Sequence, residues 1–349
     1  IITLFPRKFI KLTILTLKKL LRKILNYGPI YSIITSHKTL YIITFFLRFV
    51  PGNLSRISHS KIFSKLNYQK KIELDIAIDM MCHTGNRNRF GIFQKKVAPI
   101  QINFLGYPGT SGSKFIDYIV ADKILIPQEN QKYFTEKIIY LPDTYQANED
   151  EKKISDKIFS RKMFGLSDEK FVFSSFNSNH KINQDTFSLW MRILKKNNES
   201  VLWIMNDNDL SKNNLKNFAS KCGVDNARLI FANQLPLDEH LKRIQLADLV
   251  LDTFPYNAHT TCSDALRVDL PILTLKGKSF ASRVAASLLN SVKLNELVTE
   301  NEIDYENLAV KISNNKDYLI NLKSKIKKNK SLSNLFNSEV YTRNIEKAF

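Results

Sequence analysis

Residues 246–266 read LADLVLDTFPYNAHTTCSDAL. The run 246–252 is short and apolar without polar alternation, the pattern of a strand covered on both faces. It ends at Asp252, and a Pro- and Asn-containing loop follows. Thr260 and Thr261 then stand where a helix begins, with Asp264 three residues beyond Thr261, in the spacing of a capping box. A buried strand, a loop and a helix start in that order are half of a βαβ unit.

The same alternation extends in both directions. Downstream of 165, FVFSSF (171–176), VLWIM (201–205), ARLIF (227–231) and PILTL (271–275) read as strands. Helices are expected over 184–196, 209–222, 236–245, 280–290, 304–315 and 316–328. Upstream, LDIAIDM (74–80) and the runs 100–105 and 115–121 read as strands, and 60–72 as a helix. Strands separated by helices of this length indicate parallel α/β architecture. The polar, charge-mixed stretch DTYQANEDEKKISD (143–156) reads as a linker.

The chain has 349 residues, 44% hydrophobic and 24% charged, enough for two domains with real cores and inconsistent with wholesale disorder. Cys82, Cys222 and Cys262 lie far apart, which excludes a zinc ribbon and a disulfide scaffold. That usage fits a reducing cytoplasm. The net charge of +19 is unevenly placed: residues 1–70 carry 13 Lys/Arg and no acid, Glu73 being the first. The main body is therefore only mildly basic, and nucleic acid is not an expected partner.

Residues 1–59 stay open to four readings: a transit-like targeting sequence, a basic amphipathic membrane-surface helix over 9–25, a membrane span over 27–50, or a misread stretch of an AT-rich gene. Ser36-His37-Lys38 interrupts the span with groups that are costly near a bilayer centre. Membrane association through 9–50 is accordingly not the favoured reading.

Open α/β sheets bind ligands beyond the carboxyl ends of their strands, so the residues that follow each strand matter most. Leu105-Gly106-Tyr107-Pro108-Gly109-Thr110-Ser111-Gly112 places three of ten glycines in seven positions. Lys181 follows FVFSSF and can reach a phosphate. The start of a helix at Thr260 offers free N–H groups and a positive dipole end to a diphosphate. Asp264 suits a ribose hydroxyl better than a phosphate. His240 and Arg243, three apart on one helix, share a face. Gly277-Lys278-Ser279 and Arg283 follow the 271–275 strand. Taken singly, each is equally compatible with an ordinary capped helix or solvated loop.

Taken in order, LGYPGTSG, FNSNHK, EHLKRIQLADLVLDT, NAHTTCSDAL and GKSFASRVAASLL resemble the catalytic region of the O-GlcNAc transferase family, glycosyltransferase family 41, in particular its bacterial SPINDLY-like members. The resemblance runs from about Leu74 to Phe349. It implies a GT-B fold of two facing Rossmann-like domains: residues 60–150 as a partial acceptor-side domain, 151–335 as the UDP-sugar domain, and 336–349 as a helix returning to the first. It implies inverting transfer of GlcNAc or a related sugar from a UDP-sugar to protein Ser/Thr hydroxyls, with no metal. By motif position Lys181 would hold the diphosphate, and His259, Thr260 and Thr261 would surround it. Asp264 would bind ribose, His240 and Arg243 would line the nucleotide pocket, and Leu105, Gly106 and Pro108 would lie near the sugar. Asp75 and His83 would face the acceptor, Asp75 being a candidate base.

The chain also departs from the family pattern. Cys82 stands where relatives have Gly, Ser178 where animal relatives have Gln, and Leu237 where they have Lys. The family's leading G-Y-V-S-x-D-F-x-x-H-like motif is not found in residues 1–73, where His37 and His59 lack its context. The first domain is therefore expected to be incomplete, without a leading strand from residues 1–70. A catalytically inactive UDP-sugar-binding remnant is the main alternative to an active enzyme. A basic membrane- or nucleic-acid-associated protein is the third reading.

Overall fold

The computed structural model describes residues 32–35 as backbone, 75–85 and 90–349. The targeting, amphipathic-helix and membrane-span readings, and the helix expected over 60–72, lie outside these residues apart from the 32–35 backbone. The chain divides into two compact units, Ile1–Glu149 with Asn337–Phe349, and Asp150–Phe336.

The first unit holds a five-stranded sheet in the order β1 (Ser32–Thr35), β2 (Ile76–Asp79), β3 (Ile100–Asn103), β4 (Tyr118–Ala121), β5 (Lys137–Tyr140). β2 to β5 are parallel, and β1 pairs antiparallel to β2. The antiparallel β1 departs from the expectation that residues 1–70 add no strand to this sheet. It is nonetheless an edge strand and not the leading parallel strand of a Rossmann unit. The core under β2, β3 and β4 gathers Ile76, Ile78, Ile102, Val120 and Leu141, and Tyr341 from the C-terminal helix packs into it. The Tyr341 hydroxyl also donates to the Tyr145 carbonyl at 2.7 Å, fixing that helix, Ser338–Ala348, to its unit.

The second unit is a six-stranded, fully parallel sheet: β6 (Phe171–Ser175), β7 (Ser200–Met205), β8 (Leu229–Ala232), β9 (Leu249–Leu251), β10 (Ile272–Leu275) and β11 (Val298–Thr299). Its spatial order is β11-β10-β9-β6-β7-β8. Counted within the unit this is 6-5-4-1-2-3, the doubly wound dinucleotide-fold order. The chain moves one way from β6 and the other way from β9, so the crevice opens where those two adjacent strands end. β6, β9 and β10 are buried almost throughout, which explains apolar runs without alternation.

Helices α1 (Gln184–Lys196), α2 (Asp209–Lys221), α3 (Leu237–Ile244), α4 (Thr260–Arg267), α5 (Val284–Ser291), α6 (Glu302–Ser313) and α7 (Lys316–Leu332) surround this sheet. The C-terminal helix Ser338–Ala348 is α8. Asparagine side chains cap α1, α2, α6, α7 and α8 through Asn183, Asn208, Asn301, Asn315 and Asn337. α1 shows why these segments are helical. Asp185 sits in its first turn, Lys195 and Lys196 in its last, and Phe187, Trp190, Met191 and Leu194 are buried.

Gly106 fixes the loop that follows β3. A Cβ there would lie 1.9 Å from the Met80 carbonyl oxygen, a backbone atom that cannot step aside. At Gly109 the nearest atom would be a Tyr107 ring carbon at 3.3 Å, which can rotate. Gly106→Ala is expected to cost about 3 kcal/mol or more, against about 1 kcal/mol for Gly109→Ala. Urea unfolding of the two variants, followed by circular dichroism, checks the contrast.

Candidate functional site

Two loops leave the crevice between β6 and β9. After β6, Asn179–Lys181 forms one turn of 3-10 helix. It is held by Asp207 Oδ2, which accepts from the Asn179 N–H at 2.6 Å, and it aims Lys181 across the crevice. Lys181 Nζ donates to the Asn257 carbonyl at 2.9 Å and sits 4.1 Å from the centroid of the Tyr256 ring. Burial pulls this ammonium down to about 8, with Asp252 working the other way. At neutral pH it still carries its charge, poorly hydrated and without a carboxylate in direct contact.

The loop after β9 is organised by Asp252, which is 2% exposed. Its Oδ1 accepts from the N–H groups of Thr253 at 2.8 Å and Ala258 at 2.6 Å, and from Asn177 Nδ2 at 3.4 Å. Its Oδ2 accepts from the Thr274 hydroxyl at 2.6 Å. Burial still dominates, lifting the carboxyl to about 6 against these donors and Lys181. The loop's other side rests on the turn after β10: the Asn257 N–H donates to the Ala281 carbonyl at 3.0 Å. Gly277 makes that contact possible, since a Cβ there would stand 2.4 Å from Ser282 Oγ and 2.8 Å from the Phe254 ring. Arg283 donates to the Gly277 carbonyl at 2.9 Å, so it braces this turn.

The start of α4 differs from the sequence expectation. His259 is the N-cap and makes no side-chain cap, so Thr260 and Thr261 occupy the first two helical positions and no capping box forms. The reason is register: with His259 at the N-cap the third helical position is Cys262, and Asp264 is the fifth, too far along to bond back to the cap. The Asp264 carboxylate pairs instead with Lys152, with Nζ to Oδ1 at 2.8 Å. The Thr260 and Thr261 N–H groups have no hydrogen-bond partner among the described residues. The His259 ring stacks on Tyr256 at 5.0 Å, and burial together with Lys181 pushes its pKa down to about 3, so it is neutral. An uncapped helix N-terminus, two hydroxyls and one lysine therefore converge where a phosphate would find only donors and cations.

His240 and Arg243 lie on α3, but they are not equivalent. Arg243 is 1% exposed and is spent inside the protein. It donates to the Asn233 carbonyl and to His240 Nδ1, and lies 5.2 Å from the Phe176 ring centroid. A guanidinium has no acceptor, so the His240 proton is on Nε2, which is left to face a ligand. Burial, then Arg243, keeps His240 neutral, down to about 4. Arg243 thus sets the tautomer and position of His240 and does not itself line the crevice.

In the first unit, His83 follows β2, and its Nε2 lies 2.9 Å from the Ser111 carbonyl. A carbonyl only accepts, so Nε2 donates to it. Tyr107 and Phe90 hold the ring edge-on at 5.1 and 4.8 Å. Leu105 takes a left-handed φ of 69° and packs on the sheet core, Gly106 is locked against Met80, and Pro108 continues the loop. Buried Glu136 ties the loop down, accepting from the Ser111 N–H and the Thr110 hydroxyl, each at 2.6 Å. Asp75 precedes β2, at the opposite strand end from His83, so the structure does not bring these two together. The carboxylate at the His83 end is Asp79, buried, its pKa raised by burial, accepting from the Met81 N–H at 3.0 Å.

Sequence reasoning placed Asp252 at the end of a buried strand but not its part in organising the loop, and it missed Tyr256, Glu136, Asp79 and Lys152. Tyr256 lay inside the decisive stretch. Among the described residues, no group of three or more His, Cys, Asp or Glu could hold a metal ion. Among the same residues, no helix is long and apolar enough to cross a membrane.

A doubly wound sheet with a donor-rich, uncapped helix start at its switch point is the arrangement in which open α/β proteins place phosphate-bearing ligands. Comparison with known proteins makes this specific. The glycosyl transferase family 41 profile matches residues 53–157 and 146–345, and the chain belongs to that family. Similar curated proteins include the probable UDP-N-acetylglucosamine–peptide N-acetylglucosaminyltransferase SEC of Arabidopsis thaliana, 32% identical over 297 residues, covering 83% of this chain and 30% of that protein. A Caenorhabditis elegans UDP-N-acetylglucosamine–peptide N-acetylglucosaminyltransferase is 26% identical over 385 residues, covering 78% of this chain and 33% of its own. The chain thus spans about a third of the length of these relatives. Among solved structures, a Thermobaculum terrenum O-GlcNAc transferase variant aligns with TM-score 0.73 and 23% identity, over 82% of this chain and 54% of that one. The fold is GT-B.

The two crevice histidines set an acid limb for stability. Each has a native pKa below its ordinary value of 6.5, at about 4 for His240 and about 3 for His259. Below 6.5 the unfolded chain takes protons that the native state refuses, so stability falls as pH falls from about 6.5 to 4. Asp252, raised from 3.8 to about 6, acts in the opposite direction over its own window, one group against two. His240→Gln keeps an acceptor for Arg243 and should flatten the acid limb by about one proton's worth of slope. Denaturant titrations from pH 7 to 4 measure it.

Proposed function

We propose that this chain carries the catalytic region of an inverting transferase that moves GlcNAc, or a related sugar, from a UDP-sugar to Ser/Thr hydroxyls of a protein acceptor. The observation that carries the reading is the convergence of Lys181 Nζ with the uncapped start of α4 at the switch point of the second unit. Inverting transfer develops negative charge on the departing diphosphate, and fixed donors in a poorly hydrated site stabilise that charge without reorganising. In this reading Lys181 takes the leaving charge, while the N–H groups and hydroxyls of Thr260 and Thr261 hold the phosphates. His259, neutral, stands against them without adding a competing charge. His240 presents Nε2–H to the nucleotide, Asp264 accepts from ribose, and no metal is required.

On the acceptor side, the loop of Leu105, Gly106 and Pro108 would border the sugar. His83 is better placed than Asp75 to act as the base: it lies at the carboxyl end of its strand, where this fold places ligands. One proton leaves the acceptor hydroxyl as its oxygen bonds the sugar carbon and the bond to UDP breaks. Membrane and nucleic acid have no part in this reading. Three free thiols, two of them buried, suit a reducing cytoplasmic setting.

Lys181→Ala should weaken UDP binding by about 1.5–3 kcal/mol, the value of a charge-assisted contact, and lower turnover further. Thr261→Val should cost about 1 kcal/mol, one hydroxyl contact. Calorimetry with UDP and a radiolabelled sugar-transfer assay on a protein acceptor provide both readouts. UDP binding unaffected by Lys181→Ala would remove the lysine from the site. UDP binding with no transfer by the unmodified chain would favour the inactive remnant.

A further inference from the structure

Residues 143–156 read as a linker in sequence, but in the second unit residues 150–160, without helix or strand of their own, form a strap along α3 and α4. Arg267 Nη1 donates to the Asp150 carbonyl at 3.1 Å, and the Ser155 N–H donates to the Asp238 carbonyl at 3.1 Å. Lys157 pairs with Glu239 at 2.7 Å. At the centre of the strap, Lys152 Nζ reaches Asp264 Oδ1 at 2.8 Å, with side-chain exposures of only 16% and 12%. The first three contacts tie backbone or rim. The fourth engages a nearly buried carboxylate of α4.

Asp264 creates a conflict for a helix N-terminus that is to receive a diphosphate. It lies four residues into α4, about 6 Å along the axis from Thr260, and an unpaired carboxylate so close would repel phosphate in a poorly hydrated site. The ion pair with Lys152 answers this: it offsets the charge and holds the carboxylate by one oxygen.

We propose that Lys152 is a positioning residue of the donor site, which holds Asp264 so that its second carboxylate oxygen accepts from a ribose hydroxyl while its charge is screened from the diphosphate. This rests on the reading of Asp264 as the ribose partner. The strap thereby becomes part of the nucleotide pocket, and recognition of the ribose depends on a residue 112 positions away in sequence.

The test compares UDP with 2′,3′-dideoxy-UDP by calorimetry on the full chain. The unmodified protein should prefer UDP by about tenfold or more, since hydroxyl donors to a carboxylate are charge-assisted. In Lys152→Met that preference should collapse to about twofold, with Lys152→Arg restoring most of it. Lys152→Gln, which keeps one donor and the strap's packing, should fall between them and provides the reading if the Met variant folds poorly. A strap tie that is merely structural would weaken both ligands equally and leave the preference intact, and that result overturns the proposal. So does an unchanged affinity for both. An unmodified chain that binds neither ligand overturns the donor-site reading and this inference together, whereas UDP binding with an unaltered preference in Lys152→Met overturns the inference alone.

Discussion

The second unit depends on one carboxylate taken out of water. Asp252 gathers donors from β10, from the loop after β6 and from two points of its own loop. Its backbone carbonyl also receives the Tyr305 hydroxyl of α6 at 3.1 Å. A buried carboxylate is tolerated only when its lone pairs are met. Meeting them here requires residues 253–258 to fold back on themselves, which brings the Asn257 carbonyl to Lys181 and delivers the chain to α4 with its first N–H groups open. The donor loop is thus the shape that satisfies Asp252.

The same desolvation controls the charges around the loop. Lys181, His240 and His259 are each pushed toward their neutral forms by burial, and Asp252 likewise. Because the shifts differ in size, the outcome at neutral pH is selective: Lys181 stays cationic while both histidines are neutral. A site with three cations would bind a diphosphate tightly in ground state and product alike, which slows release. In the proposed reading, one cation with neutral imidazoles positioned around it concentrates the electrostatic response where charge would develop on the leaving diphosphate.

Much of this was legible from sequence, and the limits follow a physical line. β6, β7, β9 and β10 announced themselves because strands buried on both faces need continuous apolar runs. β5, Lys137–Tyr140, has an exposed first residue and half-exposed neighbours, and β11 has two residues, so neither produces such a run. Lys181, Thr260 and Thr261 were visible from their place after strands. Asp264 was placed on the right helix but assigned a local cap, since sequence spacing favours near partners over Lys152. Arg243 shared a face with His240, as spacing requires, yet spacing could not show that the guanidinium points inward. Partners that close a loop from another strand, such as Asn177 on Asp252 or Glu136 on Ser111, leave no local pattern.

Helix caps show how stability and ligand binding are divided in this chain. Five helices begin with an asparagine whose side chain meets a first-turn N–H. Such a cap is worth about 1 kcal/mol, and it also fills the position an anion would take. α4, at the switch point, starts from His259 with no side-chain cap, although threonines able to cap stand one and two residues further on. Thr260 and Thr261 enter the helix instead of preceding it. Leaving those N–H groups unmet costs stability. In the proposed reading that cost is offset when a diphosphate's acceptor oxygens meet the helix start, so the stability withheld from α4 would return as affinity for the ligand.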